Sequence, residues 1–180
     1  TGKIELGGAN TSIDGTGEIA TSGDFSMEGG TKTFLATTAL NKTAGDIYIN
    51  PSVTVFNNGV VTVANDVVGG NSLSTWVNQA NSTIHIEGDL LYGSAGVLNA
   101  SATGNTVTYD GLTAQNIIVP ATSYYNLELS GNSTTYLTGD ISVTNDFTII
   151  DTAKLDVTNS DYNVTLGGDF VTTSILADPF

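Results

Sequence analysis

Short stretches that alternate apolar and polar residues recur along this chain at a nearly constant interval. In the C-terminal third, Leu127, Phe147 and Phe170 open equivalent stretches, and Ile141 and Val164 open another pair. Strict alternation is the pattern of a β-strand with one face in a core. Short strands that recur every ~20–25 residues, as these do, are typical of a solenoid, in which each turn of chain lies on the previous one.

The length of the chain fits one such domain. At ~22 residues per coil, 180 residues make about eight coils, which stack into a rod roughly 40 Å long at the ~4.8 Å spacing of strands. Thr, Ser, Asn, Gly and Val dominate the composition, and helix-forming residues are scarce. We therefore predict an all-β parallel β-helix (β-solenoid) over residues 1–180, with about eight coils of ~20–23 residues and three short strands per coil.

Two stretches interrupt the rhythm. We expect irregular excursions near 69–82, where Trp76 follows a Gly-Gly-Asn-Ser run, and near 109–125, where Pro120 and Tyr124-Tyr125 fall at an expected corner. An excursion that carries an aromatic residue is a candidate binding surface, but packing of Trp76 back onto the coil is the preferred interpretation.

The alternation also predicts which side chains fill the core. Residues on the inward positions of the best-defined stretches should all be buried. They are Leu127, Ile141, Val143, Phe147, Ile149, Leu155, Val157, Val164 and Phe170.

A second repeated pattern marks the turns: Gly or Asn, then Asp, then an apolar residue. Gly and Asn tolerate the left-handed backbone of a tight corner, and Asp can hydrogen-bond to its own backbone there. The alternative is a calcium ladder, because carboxylates stacked ~5 Å apart repel one another and need a cation or solvent to relieve the repulsion. The residues concerned are Asp24, Asp46, Asp66, Asp89, Asp146 and Asp169.

Turn chemistry is the preferred interpretation of these aspartates. The Gly-Gly-x-Gly-x-Asp nonapeptide of calcium-binding β-rolls does not occur in the sequence. We therefore predict no cofactor, with calcium as the alternative.

The charge is one-sided. The chain has 18 acidic residues against four lysines and no arginine, which gives a net charge of -14. Such a surface cannot neutralise a phosphate backbone or bind an anionic membrane, so nucleic acid and membrane surfaces are not expected partners. No apolar run approaches the ~20 residues of a membrane-spanning helix. We see no signal peptide either, and we expect a mature form or a fragment.

Nothing in the sequence predicts an enzyme. His85 alternates with two apolar residues, so it should face solvent, and no nucleophile or metal-ligand pattern accompanies it. Pectin-degrading β-helix enzymes share the predicted architecture, but they need clustered carboxylates with a basic residue on one face. The absence of arginine and the scattered lysines count against that chemistry.

The C-terminal repeats resemble a known class of protein. The runs Tyr-Asn-Leu-x-Leu-x-Gly from Tyr125, Leu-x-Gly-Asp-Ile-x-Val from Leu137, Leu-x-Val from Leu155, and Val-x-Leu-Gly-Gly-Asp-Phe from Val164 carry the resemblance. They resemble adhesin-type β-solenoid repeats of large secreted cell-surface proteins, both those of Bacteroidetes-like bacteria and haemagglutinin- or autotransporter-type passengers. The resemblance is good from Tyr124 to Phe170 and loose over the rest of the chain. The resemblance implies an extracellular setting, and the family offers no catalytic residues to assign to this chain.

These observations lead to two functional hypotheses. The first is an extracellular structural module, a shaft or filament subunit that associates head to tail with further copies or with neighbouring repeats. The second is a module that binds glycans or a surface, including an ice-like one, along a flat strand face. Apolar residues near both ends of the chain are the candidates for self-association, since uncapped solenoid ends invite strand addition. They are Ile4, Leu6, Ile175, Leu176 and Phe180.

Overall fold

Every regular element of the chain is a β-strand in the residues that the structure describes. The structure is a computed structural model that describes residues 2–19, 23–93, 95–158 and 161–173. The strands are β1 (Ile4–Leu6), β2 (Asn10–Ile13), β3 (Thr16–Ile19), β4 (Phe25–Met27), β5 (Thr31–Phe34), β6 (Ala39–Lys42), β7 (Ile47–Ile49), β8 (Thr54–Asn57), β9 (Val60–Val63), β10 (Val67–Gly69), β11 (Thr75–Asn78), β12 (Thr83–Ile86), β13 (Val97–Asn99), β14 (Thr106–Tyr109), β15 (Gln115–Ile117), β16 (Asn126–Leu129), β17 (Thr134–Leu137), β18 (Ile141–Val143), β19 (Phe147–Ile149), β20 (Lys154–Asp156), β21 (Val164–Leu166) and β22 (Phe170–Thr172).

One sheet shows the coil directly. Its eight strands lie in the order β3-β6-β9-β12-β14-β16-β19-β22, and every neighbouring pair is parallel. Successive strands of this sheet start one coil apart along the chain, at the interval that the sequence predicts. We name this side of the solenoid face C. The predicted β-solenoid of about eight coils is confirmed.

Two further faces complete each coil. Face A begins with β1, β4, β7 and β10, and face B with β2, β5, β8, β11 and β13. In the later coils, β15, β17 and β20 each come directly after a face C strand along the chain, so they belong to face A. Tyr124 forms single parallel bridges to Ala100 and to Val143, which joins face B to β18 and β21. Each coil therefore runs A, B, C, and we name each corner by the two faces that it connects.

The predicted register of the C-terminal repeats is correct. Leu127 pairs with Phe147, and Phe147 with Phe170. Ile141 pairs with Val164 on face B. Strand alternation therefore identified both the inward positions and their neighbours in the next coil.

The core prediction holds except in the last coil. Six of the nine residues are buried: Leu127, Ile141, Val143, Phe147, Ile149 and Leu155. Val157 and Val164 are only partly buried, and Phe170 is 41% exposed, so the prediction is wrong for these three. They belong to the last described coil, which is covered on one side only.

The stretch 69–82 corrects the sequence analysis. It contains strand β11 in full register with β8 and β13, and Trp76 lies at a buried inward position. The indole Nε1 donates a hydrogen bond to Oδ1 of Asn78 at 3.0 Å. Residues 70–74 form the A–B corner between β10 and β11, so Trp76 belongs to the core and not to an excursion.

The stretch 109–125 interrupts face B. Between β15 and the bridge at Tyr124, residues 118–123 form no strand. Tyr109 and Tyr124 fill the interior there, with their hydroxyl oxygens 3.3 Å apart and the Tyr124 hydroxyl donating to the carbonyl of Ile118 at 2.5 Å. Burial raises the pKa of Tyr109 to about 12.

Polar side chains also occupy inward positions. Asn57 donates to Oδ1 of Asn78 at 3.1 Å and to the carbonyl of Thr83 at 2.9 Å, which forms a buried amide ladder at the B–C corner. Near the N-terminal end the inward Lys32 and Lys42 are fully buried. Their amines donate to the carbonyls of Gly8 at 2.6 Å and Gly23 at 3.2 Å, and burial lowers the pKa of both.

The described residues contain no helix that is long and apolar enough to cross a membrane.

Candidate functional site

The aspartates of the repeated turn pattern lie at two different corners. Asp24, Asp46 and Asp66 precede the face A strands β4, β7 and β10, and Asp89 precedes Leu90, which forms a single bridge to Val67 of β10. Asp146 and Asp169 instead precede the face C strands β19 and β22. They are therefore two separate columns and not one. The column at the C–A corner consists of Asp24, Asp46, Asp66 and Asp89.

At the C–A corner each carboxylate binds the next coil. Oδ1 of Asp24 accepts the backbone N–H of Asp46, and Oδ1 of Asp46 accepts that of Asp66, both at 3.3 Å. Oδ1 of Asp66 accepts the N–H of Asp89 at 2.7 Å, and Oδ1 of Asp89 accepts that of Asn116 at 2.9 Å. The expectation that each Asp bonds its own backbone is wrong for this column, because the carboxylates connect successive coils.

The B–C corner has the same hydrogen-bonding arrangement, but the first acceptor is an asparagine. Oδ1 of Asn126 accepts the N–H of Asp146 at 3.3 Å, and Oδ1 of Asp146 accepts that of Asp169 at 3.1 Å. Asp140 does the same at the A–B corner, where it accepts the N–H of Asn163 at 2.8 Å. The sequence analysis did not predict a role for Asn126, because an amide in this place does not fit the Asp pattern.

This geometry supports turn chemistry over a cation ladder. Each of these carboxylates accepts a hydrogen bond from a backbone N–H group that is fixed by the coil. The N–H group therefore stabilises the negative charge, which is what a bound cation would do in a ladder. Among the residues that the structure describes, no group of three or more His, Cys, Asp or Glu side chains is placed to hold a metal ion.

His85 lies in a cluster of ionisable side chains with Glu87, Asp110 and Glu128. It lies on the outer side of β12 between Thr62 and Thr108, and its Nδ1 is 3.3 Å from Oδ2 of Asp110. The hydrogen bond with Asp110 raises the pKa of His85, although partial burial acts against this increase. Burial raises the pKa of the nearby Glu87, and Asp110 raises it further. When His85 is protonated it forms an ion pair with Asp110, and its side chain is one-third exposed (34%).

Face B carries stacked hydroxyl groups on its outer side. Thr31, Thr54 and Thr75 are neighbours in one column, which Asn10 precedes in the first coil. The sequence also contains two Thr-x-Thr pairs, which begin at Thr31 on β5 and at Thr106 on β14, but they lie on different faces and do not stack on each other. The sequence analysis did not identify Thr54 and Thr75, because the residue two positions after each of them is apolar and not a second Thr.

Two of the five candidates for self-association, Ile4 and Leu6, lie in the part of the chain that the structure describes. Ile4 is 38% exposed on β1, and Leu6 is partly buried. Ile175, Leu176 and Phe180 lie outside the described residues. An apolar groove of about 310 Å³ lies in the last coil. Its lining includes Phe147, Tyr162, Leu166 and Phe170.

Comparison with known proteins identifies no relative of this chain: no family model, no curated protein and no solved structure matches it.

Proposed function

We propose that this chain is an extracellular structural module, a shaft segment or filament subunit of a cell-surface adhesin or appendage. The observation that carries the proposal is the parallel stack of eight strands on face C, which runs through all the coils. The backbone groups of the inner strands bond along the rod axis, so the coils resist bending and separation together. The resemblance to adhesin-type repeats supports the extracellular setting.

Head-to-tail association follows from the first coil. Strands β1, β2 and β3 each pair with one neighbour only among the described strands, so each presents an edge along the rod axis. The partly buried Leu6, Ile13 and Ile19 pack against the core from this coil. An edge with apolar side chains behind it is a template for another strand. A contact of this kind does not close on itself and therefore builds filaments.

Sedimentation velocity at low and high salt tests the filament. The net charge of -14 repels like subunits, so we expect larger species to form as salt rises and screens the charge. Ile4→Asp, which adds a charge at the edge of β1, should abolish assembly. Leu112→Asp, at an exposed site on the C–A corner, is the matched control and should assemble like the wild type.

A thermal melt of each variant shows whether it is folded. A single monomeric species at every salt and protein concentration would rule out the filament and leave a shaft segment as the remaining form of the proposal.

A second candidate function has an observation of its own. The Thr31, Thr54 and Thr75 column gives face B a regular array of hydroxyls at the strand spacing. Such a face favours a module that binds a glycan or an ordered surface.

A further inference from the structure

Exposed apolar side chains mark one corner of the solenoid. At the A–B corner of four successive coils, the third to the sixth, the chain exposes Pro51, Leu73, Tyr92 and Val119. Leu73 is 63% exposed, Tyr92 47% and Val119 42%. We name these four residues the A–B ridge. Exposed apolar side chains that recur at one place in successive coils form a patch, and such patches mark interaction sites.

Two of the ridge side chains pack against the coil that follows them. A Cβ added to Gly70 would lie 2.7 Å from Cδ of Pro51, and one added to Gly139 would lie 2.7 Å from Cγ2 of Val119. Each of these ridge side chains therefore lies over a glycine of the following coil. Pro51 and Val119, at the two ends of the ridge, are therefore packed closely against the coils that follow them.

The A–B corner carries no charged side chain in the coils that form the ridge. Residues 50–53, 70–74, 91–93, 95–96 and 118–123 contain no acidic or basic side chain, in a chain of net charge -14. The same corner carries Glu28 one coil before the ridge and Asp140 one coil after it. The neutral surface therefore ends where the ridge ends.

Hydroxyl groups adjoin the apolar side chains. Thr75 of the face B column donates to the carbonyl of Leu73 at 3.4 Å, which places the two surfaces side by side. Tyr92 contributes an aromatic ring with a polar tip. An aromatic or apolar surface bordered by hydroxyl donors and acceptors matches a sugar ring, which has apolar C–H faces and hydroxyl edges.

We propose that the A–B ridge, with the adjoining Thr54 and Thr75, binds an uncharged polysaccharide. The proposal deepens the second candidate function and rests on it, but it does not require filament assembly. A neutral polymer meets no repulsion from the acidic surface, whereas an anionic polymer or a second copy of the chain does. A cationic partner would be drawn to the carboxylates outside the ridge.

Native gel electrophoresis in gels that contain a polysaccharide tests this site. The neutral probes are soluble β-glucan, xylan and galactomannan, and the anionic probe is alginate. We expect at least one neutral probe to retard the wild type. The Tyr92→Ala, Leu73→Ser double variant should bind it roughly tenfold more weakly, a difference of about 1.4 kcal/mol. Leu112→Ser, which removes a leucine more exposed than Leu73 from the C–A corner, should bind like the wild type.

Three outcomes would overturn the proposal. The first is a wild type that no neutral probe retards or that only alginate retards. The second is a double variant that binds as well as the wild type. The third is a double variant whose sedimentation changes in the absence of sugar, which would make the ridge an interface between copies. A wild type that stays monomeric at every salt concentration but still binds a neutral polysaccharide would count against the filament alone.

Discussion

Phe147 and Phe170 occupy the same inward position on neighbouring strands of face C, with ring centroids 5.5 Å apart. Phe147 is 2% exposed and Phe170 is 41% exposed. The residues are chemically identical, so the difference between them measures what a covering coil contributes.

Replacing each phenylalanine should therefore have unequal effects on the free energy of unfolding. Phe147→Ala removes a buried ring and leaves a cavity, which should cost about 3–5 kcal/mol. Phe170→Ala removes a ring that is already in partial contact with water, and should cost about half as much or less. Urea unfolding followed by circular dichroism gives both values. Equal losses would show that the last coil is as well covered as the inner ones.

The His85–Asp110 pair predicts a pH dependence. Because the folded state raises the pKa of His85, the pair contributes stability below the unfolded pKa of about 6.5 and loses it as pH rises through the folded value. The raised pKa of Glu87 acts in the same direction. We expect the wild type to exceed His85→Gln in stability by less than about 1 kcal/mol at pH 5.5, and by less still at pH 8.5. Melting curves of both proteins at the two pH values check this, and an equal difference at both would show that the pair contributes nothing.

The corner column is the smallest element that connects one coil to the next through side chains. Asp66 accepts the N–H of Asp89 and lies in the middle of the C–A column. Asp66→Ala removes the acceptor and should cost about 0.5–1.5 kcal/mol in unfolding free energy. Asp66→Asn keeps the oxygen and removes one of the stacked charges, so it should preserve or increase stability. Urea titrations compare the two.

A thermal melt with and without EDTA distinguishes a hydrogen-bonded column from a cation ladder. If backbone N–H groups satisfy the carboxylates, the melting temperature should not change when calcium is chelated. A fall of about ten degrees would contradict this, because loss of a tightly bound ion removes its binding free energy from the folded state.

For the individual elements, the sequence predicted the positions of strands better than the positions of corners. Alternation determines the inward positions, so the pairing of Leu127, Phe147 and Phe170 followed from spacing alone. The Asp pattern does not say which corner it occupies, since a strand of face A and a strand of face C both follow Gly-Asp or Asn-Asp. Only the order of strands in space separates Asp89 from Asp146.

For the whole molecule, period and length were enough to predict the number of coils. They could not predict that residues 70–74 fit into a corner and leave β11 in register, because a Gly-Gly-Asn-Ser run has the composition of a larger loop. The A–B ridge was also beyond sequence reasoning. Leu73, Tyr92 and Val119 are unevenly spaced along the chain, and they meet at one corner only because the coil returns there.

The distribution of the four lysines has a practical consequence. Lys32 and Lys42 are enclosed in the core, whereas Lys3 in the first coil and Lys154 in the last are open to solvent. Seven strand spacings separate those two coils, or roughly 34 Å. An amine-reactive dye pair would therefore label the lysine side chains at opposite ends of the rod and nowhere between. Energy transfer between the dyes would measure the length of a single molecule, and its change under load would measure how far the rod stretches.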